Sequence, residues 1–482
     1  LPVVLEATWP GGPIDMITDV PGLLWIEQVA PTSGRNDAAG GTIAGITTPD
    51  ALARLGLDGD GVRIGVADTG LDRDHACFVD APMTLGIPGE GHRKVVHLNT
   101  SIHGLDALGH ANQRHGTHIA GTLACDPIGV GAPTEITSIA RGARLVMQDI
   151  VNESGWVPPD IEHLLWEDLE YGAMLHSASW GDDTTAYTAR SADLDSWGRE
   201  VPWSLTFVAP GNTNGALLEP ANARNVLAVV AGHDSRTGEF TEYAANSRGP
   251  VGDVRGVGLI APGVSIQSAR SDGNLSTFNN DSLTDTGTSM ATPVATSAAA
   301  VLQQAFEQGW IRHRGEDGVA VPLVNLSAGW TSHEGNGSIL LSEGFTPSGS
   351  MMRAMLASAA RDVGAPGPDE RTGWGVPDLN QVLDLETALG PGAEPVDPSP
   401  HLWIHDAFQI DGDWRATMGN RMAHPSTPLA TLLDAPWDGN GARGPFLGTG
   451  DRATFVLDRV PNEDLHLHMA FPARPEPWAV ED

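Results

Sequence analysis

The sequence predicts an α/β fold, a doubly wound parallel sheet with helices on both faces, followed by a small C-terminal β segment. Two observations carry this. Short runs rich in Val, Ile and Leu, at Val62–Ala67, Arg144–Val151, Leu205–Val208, Val226–Val230 and Leu259–Ile260, alternate with stretches such as Ile161–Met174 whose apolar residues recur at helical spacing. The polar motifs that interrupt this alternation stand at strand ends and helix starts, where open parallel sheets carry their sites.

The chain has 482 residues, too many for one ordinary domain, and 40% of them are hydrophobic, enough for a large core. No run of eighteen apolar residues occurs, so no membrane-spanning helix is expected. The chain begins at Leu1 without a signal-peptide pattern, so a targeting segment is expected to have been removed or to lie outside it. With 27 basic against 61 acidic residues the net charge is −34, which repels nucleic acid and anionic membranes and excludes both as partners. Lys94 is the only lysine. Two readings of this acidic, lysine-poor surface stay open: adaptation to high salt, where screening removes self-repulsion, or the codon bias of a GC-rich genome.

Taken in order, Pro21–Val29 reads as a turn and a strand, and Thr32–Gly41 as a polar, glycine-rich linker. The strand Val62–Ala67 ends in Asp68-Thr69-Gly70-Leu71-Asp72. His115-Gly116-Thr117-His118-Ile119-Ala120-Gly121 then carries small residues at helical spacing that permit close packing. Cys77 and Cys125 each follow one of these motifs, nine residues past Asp68 and ten past His115. Two cysteines make no disulfide framework; two buried free thiols are the default expectation, with a single bridge as the alternative. After strand Arg144–Val151 come a loop at Asn152–Trp156, the helix within Ile161–Met174, and a strand ending at Ser177-Ala178-Ser179-Trp180-Gly181. Strand Leu205–Val208 runs into the turn Ala209-Pro210-Gly211-Asn212.

Gly287-Thr288-Ser289-Met290-Ala291-Thr292-Pro293, followed by the alanine-rich Val294–Ala300, sets a serine at the mouth of a strong helix. Backbone N–H groups there have no partner inside the helix and stabilise developing negative charge. Gly287 permits a tight turn, Thr288 is expected to cap, and Pro293 is expected to be tolerated near the first turn. A serine hydroxyl is inert until a base takes its proton. His115 is the candidate base and Asp68 the carboxylate that orients it, in the chain order Asp, His, Ser.

These three motifs, in this order, resemble the subtilisin-like serine proteases over roughly residues 35–390. Asn36-Asp37, Ser247-Arg248-Gly249-Pro250 and Gly373-Trp374-Gly375 make the chain most similar to the larger bacterial subtilases with a C-terminal β-barrel. The resemblance implies a secreted serine endopeptidase acting on protein or peptide substrates through an acyl-enzyme. Its triad would be Asp68, His115 and Ser289, its oxyanion donor Asn212, and its substrate cleft Ser154, Gly155, Ser179, Trp180, Gly181, Ala209, Pro210 and Gly211. Pro210 stands where the family more often has alanine, a departure at the floor of the S1 pocket, and Arg114 stands where glycine is usual, at the cleft rim. A catalytically silent subtilase serving as a scaffold is the alternative, opposed by the intact Asp68, His115, Asn212 and Ser289.

The resemblance also implies residues 1–34 as a propeptide remnant, with an N-terminal extension that simply caps the domain as the alternative, 35–390 as the catalytic domain, 391–401 as a linker and 402–482 as a partial barrel. Ala453–Leu457 and Leu465–Phe471 read as two of its strands, with His466 and His468 on the surface of the second. Either these strands pack on the protease domain or, as the favoured reading, the missing strands come from a chain continuation or from a second polypeptide cut from the same precursor. Calcium is the cofactor implied by the family; Asp72, Asp74, Asp411 and Asp413 offer oxygen ligands without forming an EF-hand. His118 completes a His-x-x-His spacing, but lacks the glutamate of a zincin motif and reads as a buried structural residue. The polar, glycine-rich stretch Arg312–Ser350 is an insertion longer than the family pattern.

Overall fold

The computed structural model describes residues 55–383, apart from 107–113, 130, 134–135, 235–239, 251–255, 365 and most of 309–344, together with 32–34, 52, 406, 410–411, 466–473 and 475. Its centre is a sheet of seven parallel strands in the order β12-β10-β9-β7-β2-β4-β3, with β11 added antiparallel to the end of β10. The strands are β2 Arg63–Asp68, β3 Val95–Asn99, β4 Arg144–Asp149, β7 Leu175–Ala178, β9 Leu205–Val208, β10 Leu227–Asp234, β11 Phe240–Glu242 and β12 Leu259–Pro262. The chain runs from β2 out to β3, returns through β4, and only then crosses to β7 on the other side of β2. Such a reversal opens a crevice beyond the strands' carboxyl ends, and Asp68 is the last residue of β2.

β2 shows why the sheet is covered twice. Ile64 and Val66 face one core, built from α1 His115–Ala124, α4 Thr288–Glu307 and α5 Gly349–Ser358; Ala67 faces the other, built from α2 Ile161–Glu170 and α3 Ala189–Glu200. Helix α2 buries Ile161, Leu164, Leu165, Asp168 and Leu169, one stripe at helical spacing, and Asp160 caps it by accepting from Glu162 N. Lys94 is buried as well: its Nζ donates to the carbonyls of Arg141 and Ala143, and burial brings its pKa down to about 7. No helix among the described residues is long and apolar enough to cross a membrane.

Several expectations are corrected. Cys77 and Cys125 are joined in a disulfide, with Cα atoms 4.6 Å apart, rather than being free thiols. Ile128 N donates to Ala76 O, so the segment after β2 and the chain leaving α1 already lie side by side. In the chain-entropy model a closed loop of this length, 48 residues apart in sequence, is worth about 4 kcal/mol. At the N-terminus, β1 Thr32–Gly34 lies within the stretch expected to be an open linker and pairs antiparallel with β8 Trp180–Asp182; the strand expected at Trp25–Val29 lies outside the described residues.

At the C-terminus, the strand expected over Leu465–Phe471 is not formed, since residues 466–473 have no sheet assignment. That segment instead lies against α5 and the chain just before β10. Asn225 exchanges two hydrogen bonds with the backbone of Ala473, Arg353 donates to Phe471 O, and His468 meets Ser358 Oγ at 2.8 Å and the edge of Trp374. The alternation read from the sequence survives only as exposure, with Leu467, Met469 and Phe471 turned outward. Earlier in the same region, Asp406 accepts from Ser348 N, and Ile410–Asp411 pairs with Phe345–Thr346. Ala453–Leu457, Asp413 and the linker lie outside the described residues.

Candidate active site

Asp68 leaves the end of β2 with both carboxylate oxygens buried. Oδ1 accepts from its neighbour Thr69 N at 2.8 Å and meets His115 Nδ1 at 2.7 Å. His115 is the first residue of α1, and the helix is brought in by glycine: a Cβ on Gly116 would stand 2.3 Å from Gly70 O. Only a residue without a side chain permits that approach, the close packing expected of the small-residue motif. Burial by itself opposes charge on His115. The charge and hydrogen bond of Asp68, helped by Asp285 and Asp106 at longer range, outweigh it and hold the imidazole above its ordinary pKa. His115 Nε2 is buried and has no hydrogen-bond partner.

The start of α1 has a cap that no local motif announces. Asp106, fully buried, accepts from Arg114 N, Thr117 N and Thr69 Oγ1, so one carboxylate joins the helix start to the Asp68 turn. Arg114 takes a left-handed conformation, φ 77°, as the residue before the helix. That backbone state explains why glycine suits this position. Deeper in the helix, His118 Nε2 sits 3.1 Å from the carbonyls of Ile266 and Leu283 and is therefore the protonated nitrogen; burial drives its pKa down, in keeping with a structural role.

Ser289 is the second residue of α4, and its Oγ donates to Ser179 O at 3.2 Å. Two details differ from expectation. Gly287, not Thr288, is the residue before the helix; Thr288 Oγ1 instead accepts from Gly211 N. Pro293 is the sixth residue of α4 and lies past the first turn. A proline there has no N–H to offer the carbonyl four residues back, which is Ser289 O. Ser179 Oγ takes that place, donating to Ser289 O at 2.9 Å. Ser179 and Ser289 are thus locked together by a reciprocal pair of hydrogen bonds, one of them made available by Pro293.

Asn212 follows β9 through the turn Ala209-Pro210-Gly211. Gly211 has φ 107°, and a Cβ there would meet Leu218 Cδ1 at 2.7 Å. The Asn212 amide oxygen accepts from Thr288 N at 3.0 Å, which fixes the opposite, NH₂ end of the side chain as the donor end beside the mouth of α4. Ala209 and Pro210 are buried in the turn, Ala209 N donating to Ala178 O and Pro210 O accepting from Leu218 N.

Of the remaining cleft residues, Ser154 and Gly155 form the hairpin between β5 Val151–Asn152 and β6 Gly155–Trp156. Trp156, which the sequence reading left out, stands edge-on to the His115 ring with centroids 6.3 Å apart. Trp180 does not present its side chain to the cleft: the indole is 1% exposed, packed in the second core with Arg190 over its face. What β8 offers is its backbone edge, including Gly181, and β1 is paired to it.

Residues 59–375 match the model of the subtilase family, peptidase S8. The chain belongs to the subtilase family. Among curated proteins it is similar to the alkaline protease of Alkalihalobacillus alcalophilus, 27% identical over 295 residues that cover 60% of this chain and 66% of that protein. It is 28% identical to subtilisin Savinase of Lederbergia lenta over 54% of this chain and 83% of that protein. Against the serine protease/ABC transporter B family protein tagD of Dictyostelium discoideum it is 24% identical over 72% of its length, but spans only 24% of that relative. Among solved structures, fervidolysin from Fervidobacterium pennivorans, a keratinolytic enzyme related to subtilisin, aligns at a TM-score of 0.46 and 21% identity, over 71% of this chain and 45% of that one.

One further group in this subtilase can hold a metal: Asp72, Asp74 and Asp272, the last supplied by the loop between β13 Ile266–Ala269 and β14 Ser282–Asp285. Asp411, also a candidate ligand by sequence, lies instead in the two-residue strand paired with Phe345–Thr346.

Proposed function

We propose that this subtilase is a secreted serine endopeptidase that cleaves peptide bonds through an acyl-enzyme. The observation that carries the reading is the state of His115: its Nδ1 is engaged by Asp68 at 2.7 Å while its Nε2 is buried and unengaged, ready to accept a proton. A peptide lies along the backbone edge of β8 as an added strand. Ser289 Oγ–H turns from Ser179 O to His115 Nε2, and Oγ attacks the carbonyl carbon as the proton passes to the imidazole. The oxyanion accepts from the Asn212 amide and from Ser289 N, a first-turn helix N–H. The C–N bond breaks as His115 returns the proton to the leaving amine. Water, activated by the same nitrogen, then frees the acyl group. Throughout, Asp68 holds the Nδ1–H tautomer.

The strand β1 supports reading residues 1–34 as a propeptide remnant, because its pairing partner is the edge assigned to substrate. Gly34 lies opposite Trp180, the neighbour in sequence of Ser179, the residue locked to Ser289. Self-cleavage is therefore expected between about residues 33 and 41. The Cys77–Cys125 bridge supports an oxidising, extracellular location, and the family resemblance carries calcium as a cofactor.

Incubation with a mixed peptide library tests the activity: the full chain is expected to cut it and Ser289→Ala is not. N-terminal sequencing of both proteins tests the processing. A new N-terminus only in the active chain is expected, and identical N-termini would argue against it.

A further inference from the structure

The motif Ser247-Arg248-Gly249-Pro250 has no part in the chemistry above, yet its first residue lies against the turn that carries Asn212. Strand β9 delivers Ala209, Pro210 and Gly211 into the interior, where all three are buried, whereas residues 213–216 are exposed. Asn212 is half-buried at the boundary between them. Two peptide planes meet at its Cα, and Ser247 holds both. The Ser247 N–H donates to Gly211 O at 2.8 Å, which pins the peptide between residues 211 and 212. Ser247 Oγ accepts from Thr213 N at 3.2 Å and lies 2.7 Å from Thr213 Oγ1, which pins the peptide between residues 212 and 213. Because the peptide bond is planar, a Cα between two fixed planes keeps little freedom in φ and ψ, and its side chain leaves in one direction.

This clamp is anchored in the sheet. Ser247 is fully buried, and a Cβ on Gly211 would stand 3.0 Å from its Oγ, so the two segments are in close contact. The preceding residue, Asn246, exchanges two hydrogen bonds with Ala231 of β10: its Oδ1 accepts from Ala231 N at 2.9 Å and its Nδ2 donates to Ala231 O at 2.8 Å. Asn214 N donates to Ala245 O and Arg248 N to Gly215 O, at 2.8 and 2.9 Å, so residues 245–248 run alongside the whole turn. From α4, Thr288 holds Asn212 Oδ1 and Gly211 N. The bond from Thr288 N thus fixes the far end of the Asn212 side chain, while Ser247 fixes the backbone from which that side chain springs.

We propose that Ser247 is a positioning residue for the oxyanion donor, holding the Asn212 backbone so that the side-chain amide is aimed before substrate arrives. The inference rests on the role proposed above for Asn212. A donor contributes most when it already points at the place where charge develops, since nothing then reorganises in the transition state. A small displacement of such a group is correspondingly costly. Ser247 Oγ is engaged by Thr213 and acts only through Asn212, so its loss removes an interaction made in the transition state and lowers kcat rather than raising KM.

Peptide hydrolysis by the full chain, Ser247→Ala, Asn212→Ala and the double variant tests this. Ser247→Ala deletes one oxygen and keeps the N–H bond to Gly211 O; it should lower kcat about tenfold or more with KM within about twofold. In the Asn212→Ala background the same change should cost no more than about twofold, because the group it positions is gone. Ser247→Cys, of similar size with a weaker acceptor, should lower kcat with the same dependence on Asn212, and it decides the matter if Ser247→Ala does not fold. Amide exchange by nuclear magnetic resonance in the Ser289→Ala chain reads the clamp without turnover: exchange at Thr213 N should quicken about tenfold or more when Ser247→Ala is added. An unchanged kcat, a rise in KM alone, a loss of the same size with or without Asn212, or unchanged exchange at Thr213 would overturn the proposal. A full chain that hydrolyses nothing would overturn the protease reading instead, and the exchange would still report whether Ser247 holds the turn.

Discussion

Among the described residues stand two serine, histidine and aspartate sets, and the one with the more complete hydrogen bonding is not the one proposed for catalysis. Toward the amino-terminal ends of β7 and β9, Asp168 Oδ2 meets His176 Nδ1 at 2.8 Å, and His176 Nε2 meets Ser204 Oγ at 2.9 Å. Trp197 Nε1 donates to the same Ser204 Oγ, and Gln148 Nε2 donates to Asp168 Oδ1. All three residues are at most 5% exposed. At the carboxyl ends of the strands, by contrast, His115 Nε2 and Asp68 Oδ2 are unengaged, and the serine hydroxyl points at a neighbouring carbonyl. A buried polar network is stable when every member is satisfied. A site that must accept a proton and an oxyanion needs the reverse, positioned atoms that are still open. Hydrogen bonds within a trio therefore do not mark a catalytic site; the proposed site is distinguished by the helix mouth at Ser289, Asn212 and the pairing edge of β8.

The largest test of this contrast is a pair of alanine substitutions. Ser289→Ala should lower kcat by about 10⁶-fold, the order seen for the nucleophile of subtilisin, with the fold kept. Ser204→Ala should leave kcat within about twofold and lower the melting temperature, because it strands His176 Nε2 and Trp197 Nε1 in the interior; the expected cost is about 1–3 kcal/mol. Peptide hydrolysis and thermal melts on both proteins check it.

Isosteric loss of each carboxylate comes next. Asp68→Asn should lower kcat by about 10⁴-fold through the wrong histidine tautomer. It should also move the acid limb of kcat/KM. With Asp68 present His115 is held above the ordinary 6.5 of imidazole, and the base works only when neutral, so activity should fall about tenfold per pH unit below that raised value. Without the carboxylate the limb should shift to lower pH. Asp168→Asn should leave the pH profile in place and reduce stability instead. A profile that moved with Asp168 would break the comparison.

Asn212→Ala is the smallest of the catalytic changes, about 10²–10³-fold in kcat with little effect on KM, the size measured for one oxyanion donor in subtilisin. A rise in KM alone would assign Asn212 to ground-state binding.

How much of this was legible in the sequence follows the same division. Asp68, His115, Asn212 and Ser289 sit in local motifs at element ends, and the strands and helices that carry them follow the hydrophobic pattern; all these elements are where the pattern sets them, within a few residues. The Asp168, His176 and Ser204 set has no motif, because it exists only where α2, β7 and the start of β9 pack, and a Cβ on Gly65 would fall 2.0 Å from Asp168 Oδ2. Asp106 as a cap, Asp272 as a partner of Asp72 and Asp74, and the Cys77–Cys125 bridge are likewise products of tertiary approach, invisible to local spacing. Thr288 was misread as a cap because Ser and Thr favour that position; in the fold its hydroxyl is claimed by Gly211 N, and the glycine before it makes the turn.

The most direct measurement is the site of covalent labelling. The full chain treated with a peptidyl phosphonate and digested for mass spectrometry should carry one phosphonyl group, on the peptide containing Ser289, with none on the peptide containing Ser204 and none in Ser289→Ala. A label on Ser204, or labelling that persists after Ser289→Ala, would contradict the account.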